Sequence, residues 1–485
     1  MIKAEVLTAV NKTRRDILLQ LFLLLLTFFI VFLKIGNFQV RWWDESFFAV
    51  NTYEMMHNGH YFSRYFDQVP DLVNNKPPLS SWAQAITVKL FGYNEVGIRL
   101  PSAIAATLTI LVLFRFLLYR WGAFMALTAS LVLLTSKGFV WFHTARTADS
   151  DALLTLFLTL AILRMLNFLE NGNKKHILYF FLFISLAFAT KSVAAFFFLP
   201  GVLTVLLLQK KLAAVLSRWQ FYAVLVFLLC SALLLLYLRE RESPGYLHAL
   251  LGTDAGRILS TVDGHNEPFL FYFDNLMTWR FSWWMVPACA GAVLAFVDKE
   301  KKNREFFRSI LLPCALFLCI ISASVTKLEW YDMPLYPWLA IAAAYPVYLL
   351  ARSLNSTRAK LILLFLIVAY PYSLAFRQSQ SNTMSPGEKK NEACERFLNI
   401  HSKGNDDLDG ITVYFSGPKS SLLFYKYKLA DMGQRIELVQ FPGFKMGDRV
   451  LVSNDSLVEV LKAKYDLEET DHYEDAKLFR VKKEK

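Results

Sequence analysis

Residues 17–33 read ILLQLFLLLLTFFIVFL; Lys12, Arg14 and Arg15 stand before this run and Trp42-Trp43-Asp44-Glu45 shortly after it. A run this long and apolar suits a hydrocarbon core about 30 Å thick. Basic residues on its N-terminal side place that end in the cytoplasm by the positive-inside bias. A cleavable signal has a shorter apolar region and a small-residue cleavage site. Here Lys34-Ile35-Gly36-Asn37 follows instead, so the segment is expected to stay as a first span.

Working outward, further apolar runs fall near 100–118, 122–141, 152–168, 176–190, 193–209, 219–238, 283–297, 309–325, 334–351 and 359–377. They predict an α-helical polytopic membrane protein with about 11 spans, in a range of roughly 10–13. Alternation from a cytoplasmic N-terminus puts Arg120, Lys174-Lys175, Lys210-Lys211, the 299–308 segment and the 352–360 segment on the cytoplasmic side. All are basic, which supports the count, since one missed span would invert every later loop. The chain is 55% hydrophobic and carries a net charge of +12. That charge is scattered among loops between apolar runs, so it argues for membrane orientation and against a nucleic-acid partner. Of the five cysteines only Cys394 lies outside an apolar run, and no disulfide framework or CxxC metal site is implied.

The predicted organisation is a transmembrane domain over 1–378 and a soluble extracytoplasmic α/β domain over 379–485. Within the first, a long extracytoplasmic loop covers about 36–99, and its apolar stretch 79–91 reads as an interfacial helix. In the second, alternations at 411–415, 436–441 and 449–453 read as strands, and 420–429 and 457–465 as helices.

The unusual polar residues all fall on the extracytoplasmic side of this threading. Asp44 and Glu45 follow two interfacial tryptophans: they are either solvated loop acids or carboxylates held at the membrane surface for proton transfer. Lys76 precedes Pro77-Pro78, which fix an extended backbone and present the lysine rigidly at headgroup depth. Arg146, Asp149 and Asp151 stand at the mouth of a span, where an acid also serves a helix N-terminus. Lys191 joins two apolar runs with almost no loop; Lys327 and Tyr331 sit among acids and aromatics. Each lysine is either a snorkelling side chain or a phosphate ligand. His265 is either a polar loop residue or a metal ligand.

In order, Asp44-Glu45, Glu54-Met55, Gly59, Lys76-Pro77-Pro78-Leu79 with Trp82, Leu90-Phe91-Gly92, Asn94-Glu95, Arg99-Leu100-Pro101-Ser102-Ala103, Arg146 with Asp151, Lys191, His265, Pro268, Tyr272, and Lys327 with Tyr331, Pro334, Tyr336 and Pro337 form one set. This set resembles the GT-C membrane glycosyltransferases of the protein O-mannosyltransferase and lipid A aminoarabinose transferase superfamily. The resemblance implies transfer of a sugar from a polyprenyl-phosphate carrier, with inversion, on the extracytoplasmic side of a bacterial cytoplasmic (inner) membrane. The acceptor would be lipid A, another glycolipid or glycan, or a protein side chain, the last as in a protein O-glycosyltransferase. It further implies that Asp44 is the main catalytic carboxylate, beside Glu45, with Asp151 as the second acid and Asp149 as the alternative. Lys76 would bind the donor phosphate, with Arg146, Lys191, Lys327 and Tyr331 lining the same cavity. Two positions depart from the aminoarabinose enzymes: Phe47 stands where they often carry Arg, and Asn75 where they carry a Glu that pairs with the later His. A divalent metal on His265 is therefore weakened, and so is the assignment to aminoarabinose and lipid A. Outside enzymes, a lipid-linked substrate transporter or a membrane-anchored scaffold is the competing class; a transporter would place its polar residues near the bilayer midplane instead.

Overall fold

The computed structural model describes residues 2–72, 74, 76–141, 143–217, 219–252, 266–381, 384, 386–404 and 406–485. The chain separates into two compact units. The first holds residues up to Leu33, Leu72–Ser80 and Pro101–Gln380; the second holds Lys34–Asp71, Ser81–Leu100 and Ser381–Lys485.

Helices dominate the first unit. Helix α1 (Ile2–Thr27) runs into a wider π-helical turn, Phe28–Phe32. After α2 (Asp44–Asn58) and most of α3 (Leu79–Phe91), which belong to the second unit, come α4 (Glu95–Trp121), α5 (Ala123–Leu134), α6 (Asp151–Asn171), α7 (Lys175–Lys191) and α8 (Leu199–Leu208). The series continues with α9 (Trp219–Glu242), α10 (Ser282–Phe296), α11 (Lys301–Ala323), α12 (Tyr336–Arg352) and α13 (Thr357–Gln380). Among the described residues eight helices are long and apolar enough to cross a membrane, and α5, α8 and α10 are shorter apolar helices. The long and short helices together fall on the eleven runs read from sequence.

Burial ranks them. The apolar window of α6 is 78% buried and that of the segment ending in α12 is 72%, whereas that of α9 is 0% buried. So α6 and α12 form the centre, and α9 offers its sides to lipid. Between lipid-solvated helices the hydrophobic effect is weak, and close packing has to hold them. Small residues supply it. A Cβ on Gly291 of α10 would lie 1.8 Å from the Ala342 carbonyl oxygen of α12, and one on Gly201 of α8 would lie 2.3 Å from Cα of Pro313 in α11. These two crossings tolerate no side chain at all.

In the second unit α2 ends at Gly59, whose φ of +73° closes the helix in the left-handed conformation that glycine adopts without penalty. Its core sheet has five strands: β3 (Ile411–Tyr414), β4 (Ile436–Val439), β5 (Arg449–Val452), β6 (Tyr465–Tyr473) and β7 (Ala476–Glu484), after a short hairpin β1 (Tyr65–Phe66) and β2 (Val69–Pro70). The order is β4-β3-β5-β7-β6, with β3 parallel to β4 and β5, and β7 antiparallel to β5 and β6. Helices α14 (Ala393–Gly404), α15 (Ser420–Asp431) and α16 (Asp455–Lys464) complete it. The three parallel strands and two of these helices match the sequence reading. The hairpin β6–β7 does not appear in that reading: its outer strand is mostly exposed and charged, so apolar alternation is lost there.

Candidate active site

Within the helical unit, a cavity of about 140 Å³ lies among Lys76, the N-terminus of α6, the end of α7 and the end of α11. Its lining combines polar residues, Lys76, Asp151, Lys191, Ser192, Ser324 and Tyr331, with apolar ones, Leu154, Phe197, Phe317, Ile320 and Ile321. Asp151 is the first residue of α6, where its charge also favours the helix N-terminus. Lys191 closes α7 and donates from Nζ to Asp151 Oδ1 at 2.6 Å, both side chains being buried. The same ammonium lies 4.8 Å from the ring centre of Tyr331, a cation–π distance. Ser192 then turns at φ +48°, ψ −126°, a left-handed backbone that non-glycine residues rarely adopt. Strain of this kind concentrates at binding sites. Lys76 is positioned through its backbone: Arg239, itself buried, donates to the Lys76 carbonyl at 2.9 Å and packs 3.9 Å from the ring of Tyr246.

Two cations expected in this cavity are engaged elsewhere in the same unit. Arg146 donates to the carbonyls of Ile30, Val31 and Leu33, the end of the first span, where cationic donors satisfy exposed helix carbonyls. Lys327 is buried and donates to the carbonyls of Glu267 and Ser324, fixing the loop that carries Ser324 to the cavity. Neither lines the cavity. Their charge made them phosphate candidates in the sequence; the backbone carbonyls that occupy them are remote in the chain and left no signal there.

Asp149 lies in the loop before α6 and accepts from Ser102 through its carbonyl at 2.7 Å. Its Oδ1 is 3.2 Å from Nδ1 of His143, and its buried Oδ2 has no hydrogen-bond partner among the described residues. His143 stacks on Trp330 with ring centres 3.5 Å apart and has φ +55°. Sequence reasoning passed over His143; its signal was a histidine in the same polar loop as Asp149. His265 and Asn75, on which the metal expectation turned, lie outside the described residues.

In the second unit Asp44 opens α2 and is half-buried. Its neighbour Glu45 is fully buried and held by Arg99, at 2.7 Å from Nε and 3.0 Å from Nη2, and by the Arg41 amide at 3.0 Å. Arg99 also donates to the carbonyls of Ile35, Phe38 and Gln39. One guanidinium thus ties the whole segment before α2 to Glu45 and sets where Asp44 begins. Both oxygens of Glu45 are engaged, which departs from the expectation of a reacting carboxylate. Glu95 is likewise paired, with Lys428 at 2.8 Å.

Comparison with known proteins finds similar sequences and folds. The family model for dolichyl-phosphate-mannose-protein mannosyltransferase matches residues 75–237, a segment that includes Lys76, Asp151 and Lys191. An uncharacterised protein of Aquifex aeolicus is 29% identical over 343 residues, 69% of this chain and 64% of its own length. An undecaprenyl phosphate-alpha-4-amino-4-deoxy-L-arabinose arabinosyl transferase of Pseudomonas savastanoi is 25% identical over 337 residues, 66% of this chain and 60% of its own. The chain thus spans less than two thirds of the length of these relatives. Among solved structures, ArnT from Cupriavidus metallidurans bound to undecaprenyl phosphate superposes with a TM-score of 0.70 at 14% identity, covering 96% of this chain and 98% of ArnT. The chain is a multi-pass membrane protein whose fold is similar to that of ArnT.

Proposed function

We propose that this protein transfers a sugar from a polyprenyl-phosphate carrier to an acceptor outside the cytoplasm, in a bacterial inner membrane. The observation that carries the reading is the mixed lining of this cavity: two lysines and one carboxylate together with aromatic and aliphatic side chains. That is the complement of a phosphate on an isoprenoid tail. The arabinosyl transferases among the relatives, and the undecaprenyl phosphate in the ArnT structure, support this donor class.

In the proposed reaction Lys76 and Lys191 hold the donor phosphate. The acceptor hydroxyl attacks the anomeric carbon from the face opposite the phosphate, and the bond from that carbon to the phosphate oxygen breaks. Inversion results, and the polyprenyl phosphate leaves with both electrons of that bond. The lysines offset the charge that develops on the leaving oxygen, in a cavity where low polarity strengthens the interaction. A carboxylate takes the hydroxyl proton; Asp44 is assigned this role, with Asp149 as the alternative. Asp151 holds Lys191 in place, and Glu45 acts through Arg99 to position Asp44.

The N-terminus is assigned to the cytoplasm, and the cavity and the 379–485 domain to the opposite side, from the distribution of basic loops. A glycolipid such as lipid A is the first acceptor class; a protein side chain is the second, favoured by the mannosyltransferase family match. The test supplies purified protein in lipid with a panel of undecaprenyl-phosphate-linked sugars and an envelope extract. Release of undecaprenyl phosphate that needs both the extract and Asp44, and is lost in Asp44→Asn, is the expected result. Release by Asp44→Asn at the wild-type rate would remove Asp44 from the mechanism, and no release with any donor from folded protein would overturn the reading.

A further inference from the structure

The sheet of the second unit has a topological switch point. From β3 the chain passes through α15 to β4 on one side, then crosses to β5 on the other, and all three strands are parallel. In open α/β sheets the crevice beyond the carboxyl ends of the two strands at such a point is where ligands bind, because the flanking connections diverge there. Here a cavity of about 340 Å³ occupies that place. It is bounded by the residues that directly follow β3, Phe415 to Pro418, by Ser453 and Asn454 after β5, and by Glu392, Glu395 and Trp42. The volume falls at the small end of sites for small molecules.

One buried group in this cavity lacks a partner. Glu392 is 1% exposed. Its Oε2 accepts from Gln39 at 2.8 Å and from Arg41 at 3.4 Å, while its Oε1 has no hydrogen-bond partner among the described residues. Buried acceptors are ordinarily satisfied, and an orphaned oxygen on a residue that lines a cavity is a point to which a ligand can donate. The remaining polar lining is rich in acceptors and hydroxyls: Glu395, Ser416, Ser453 and Asn454. Lys390, the cation of the lining, pairs with Asp455 at 2.6 Å. Two carboxyl groups and an engaged lysine disfavour a phosphate or carboxylate ligand. They favour a ligand bearing several O–H or N–H donors. Trp42, 41% exposed, offers an apolar ring for the C–H face of such a molecule.

We infer that this crevice is a saccharide-binding site, in which a sugar hydroxyl or amino group donates to Glu392 Oε1 and the ring rests against Trp42. This crevice shares no residue with the cavity of the helical unit, and saccharide binding here does not require the transfer reaction. The test is saturation-transfer NMR on the full chain in detergent with methyl α-mannoside, methyl α-glucoside, glucosamine and chitobiose as probes, and methyl phosphate as the anionic counter-probe. At least one saccharide should receive saturation. Its affinity should fall about tenfold or more in Glu392→Gln, the expected cost of weakening one charge-assisted hydrogen bond. Binding should vanish in Ser416→Trp, where an exposed loop side chain, unconstrained by packing, fills the mouth. Saturation of none of the saccharides, saturation unchanged in both variants, or binding of methyl phosphate alone would overturn the inference. Because Ser416→Trp leaves every buried contact in place, a folding defect in Glu392→Gln would not hide the answer.

Discussion

Two buried ion pairs in the helical unit look alike and sit in opposite settings. Arg280 and Asp332 are both almost fully buried, and Asp332 is bonded by Arg280 at 3.1 Å and by Tyr336 at 3.0 Å. Arg280 also reaches the Gly138 carbonyl at 3.1 Å, so the network is closed on every side by protein. Lys191 and Asp151 are paired at 2.6 Å, yet they border a cavity that Lys76 and Tyr331 also face. A sealed pair can only hold structure together. A pair on the wall of a cavity has a place for a third charge. Burial and charge alone do not separate a pair that borders a cavity from one sealed in protein; adjoining space does.

Breaking the sealed pair should have the largest effect. Arg280→Ala leaves Asp332 buried without its cation, at a cost of about 3–5 kcal/mol. Loss of folded protein, read by size-exclusion profile and thermal unfolding in detergent, is the expected outcome. Lys76→Ala should do the reverse: a normal unfolding midpoint with donor turnover reduced about 10²–10³-fold, the scale for removing one group that stabilises developing charge. A similar midpoint for both would erase the distinction between the sealed network and the cavity lining. Next in size is Gly138→Ala. The new Cβ would lie 1.8 Å from Tyr336 Oη, so the Arg280 network must shift, costing about 1–3 kcal/mol as other overpacked sites do. An unchanged midpoint would mean that this network is looser than its geometry.

The second unit sharpens the contrast through pH. Burial pushes the Glu395 carboxyl up to about 7; a hydrogen bond from Ser421 opposes the shift and the charge of Glu392 adds to it. A carboxyl raised on folding binds more protons in the folded than in the unfolded state between its two pKa values. Stability of the sheet should therefore fall as pH rises from about 4.5 toward 7, and level off above it. Amide exchange of β3 and β5 across that window measures it, and Glu395→Gln should flatten the profile. The smallest expected effect is Tyr331→Phe. The ring under Lys191 remains and only the hydroxyl goes, so turnover should change less than about threefold, within the range of a weak exposed contact. A hundredfold loss would assign the hydroxyl a direct part in the reaction.

Much of the fold was legible because membrane solvation writes itself into long apolar runs and basic loops. Even the short helices α5, α8 and α10 fell on predicted runs. The parallel strands β3, β4 and β5 were readable from alternation, while β6 and β7 were hidden by charge on an exposed edge. At the site, Lys76, Asp151, Lys191 and Tyr331 were nominated together and share one cavity. What sequence could not separate was a cation that borders a cavity from one taken up by backbone carbonyls. Arg146 and Lys327 have the same composition signal as Lys191, and only the position of Leu33 and Ser324 around them tells the difference. Arg239 and His143 stayed unread, and Arg99 was matched without a role, because their work depends on partners far away in the chain: Lys76, Trp330 and Glu45, respectively.

The central claim is that the cavity at Lys76 and Lys191 holds a polyprenyl phosphate. Native mass spectrometry of the detergent-solubilised protein, titrated with undecaprenyl phosphate, tests it most directly. Wild type should retain one lipid phosphate per chain, and Lys76→Ala should bind at least about tenfold more weakly while keeping its unfolding midpoint, the scale for losing one charge-assisted contact. Equal binding by both proteins would place the phosphate elsewhere and contradict the account.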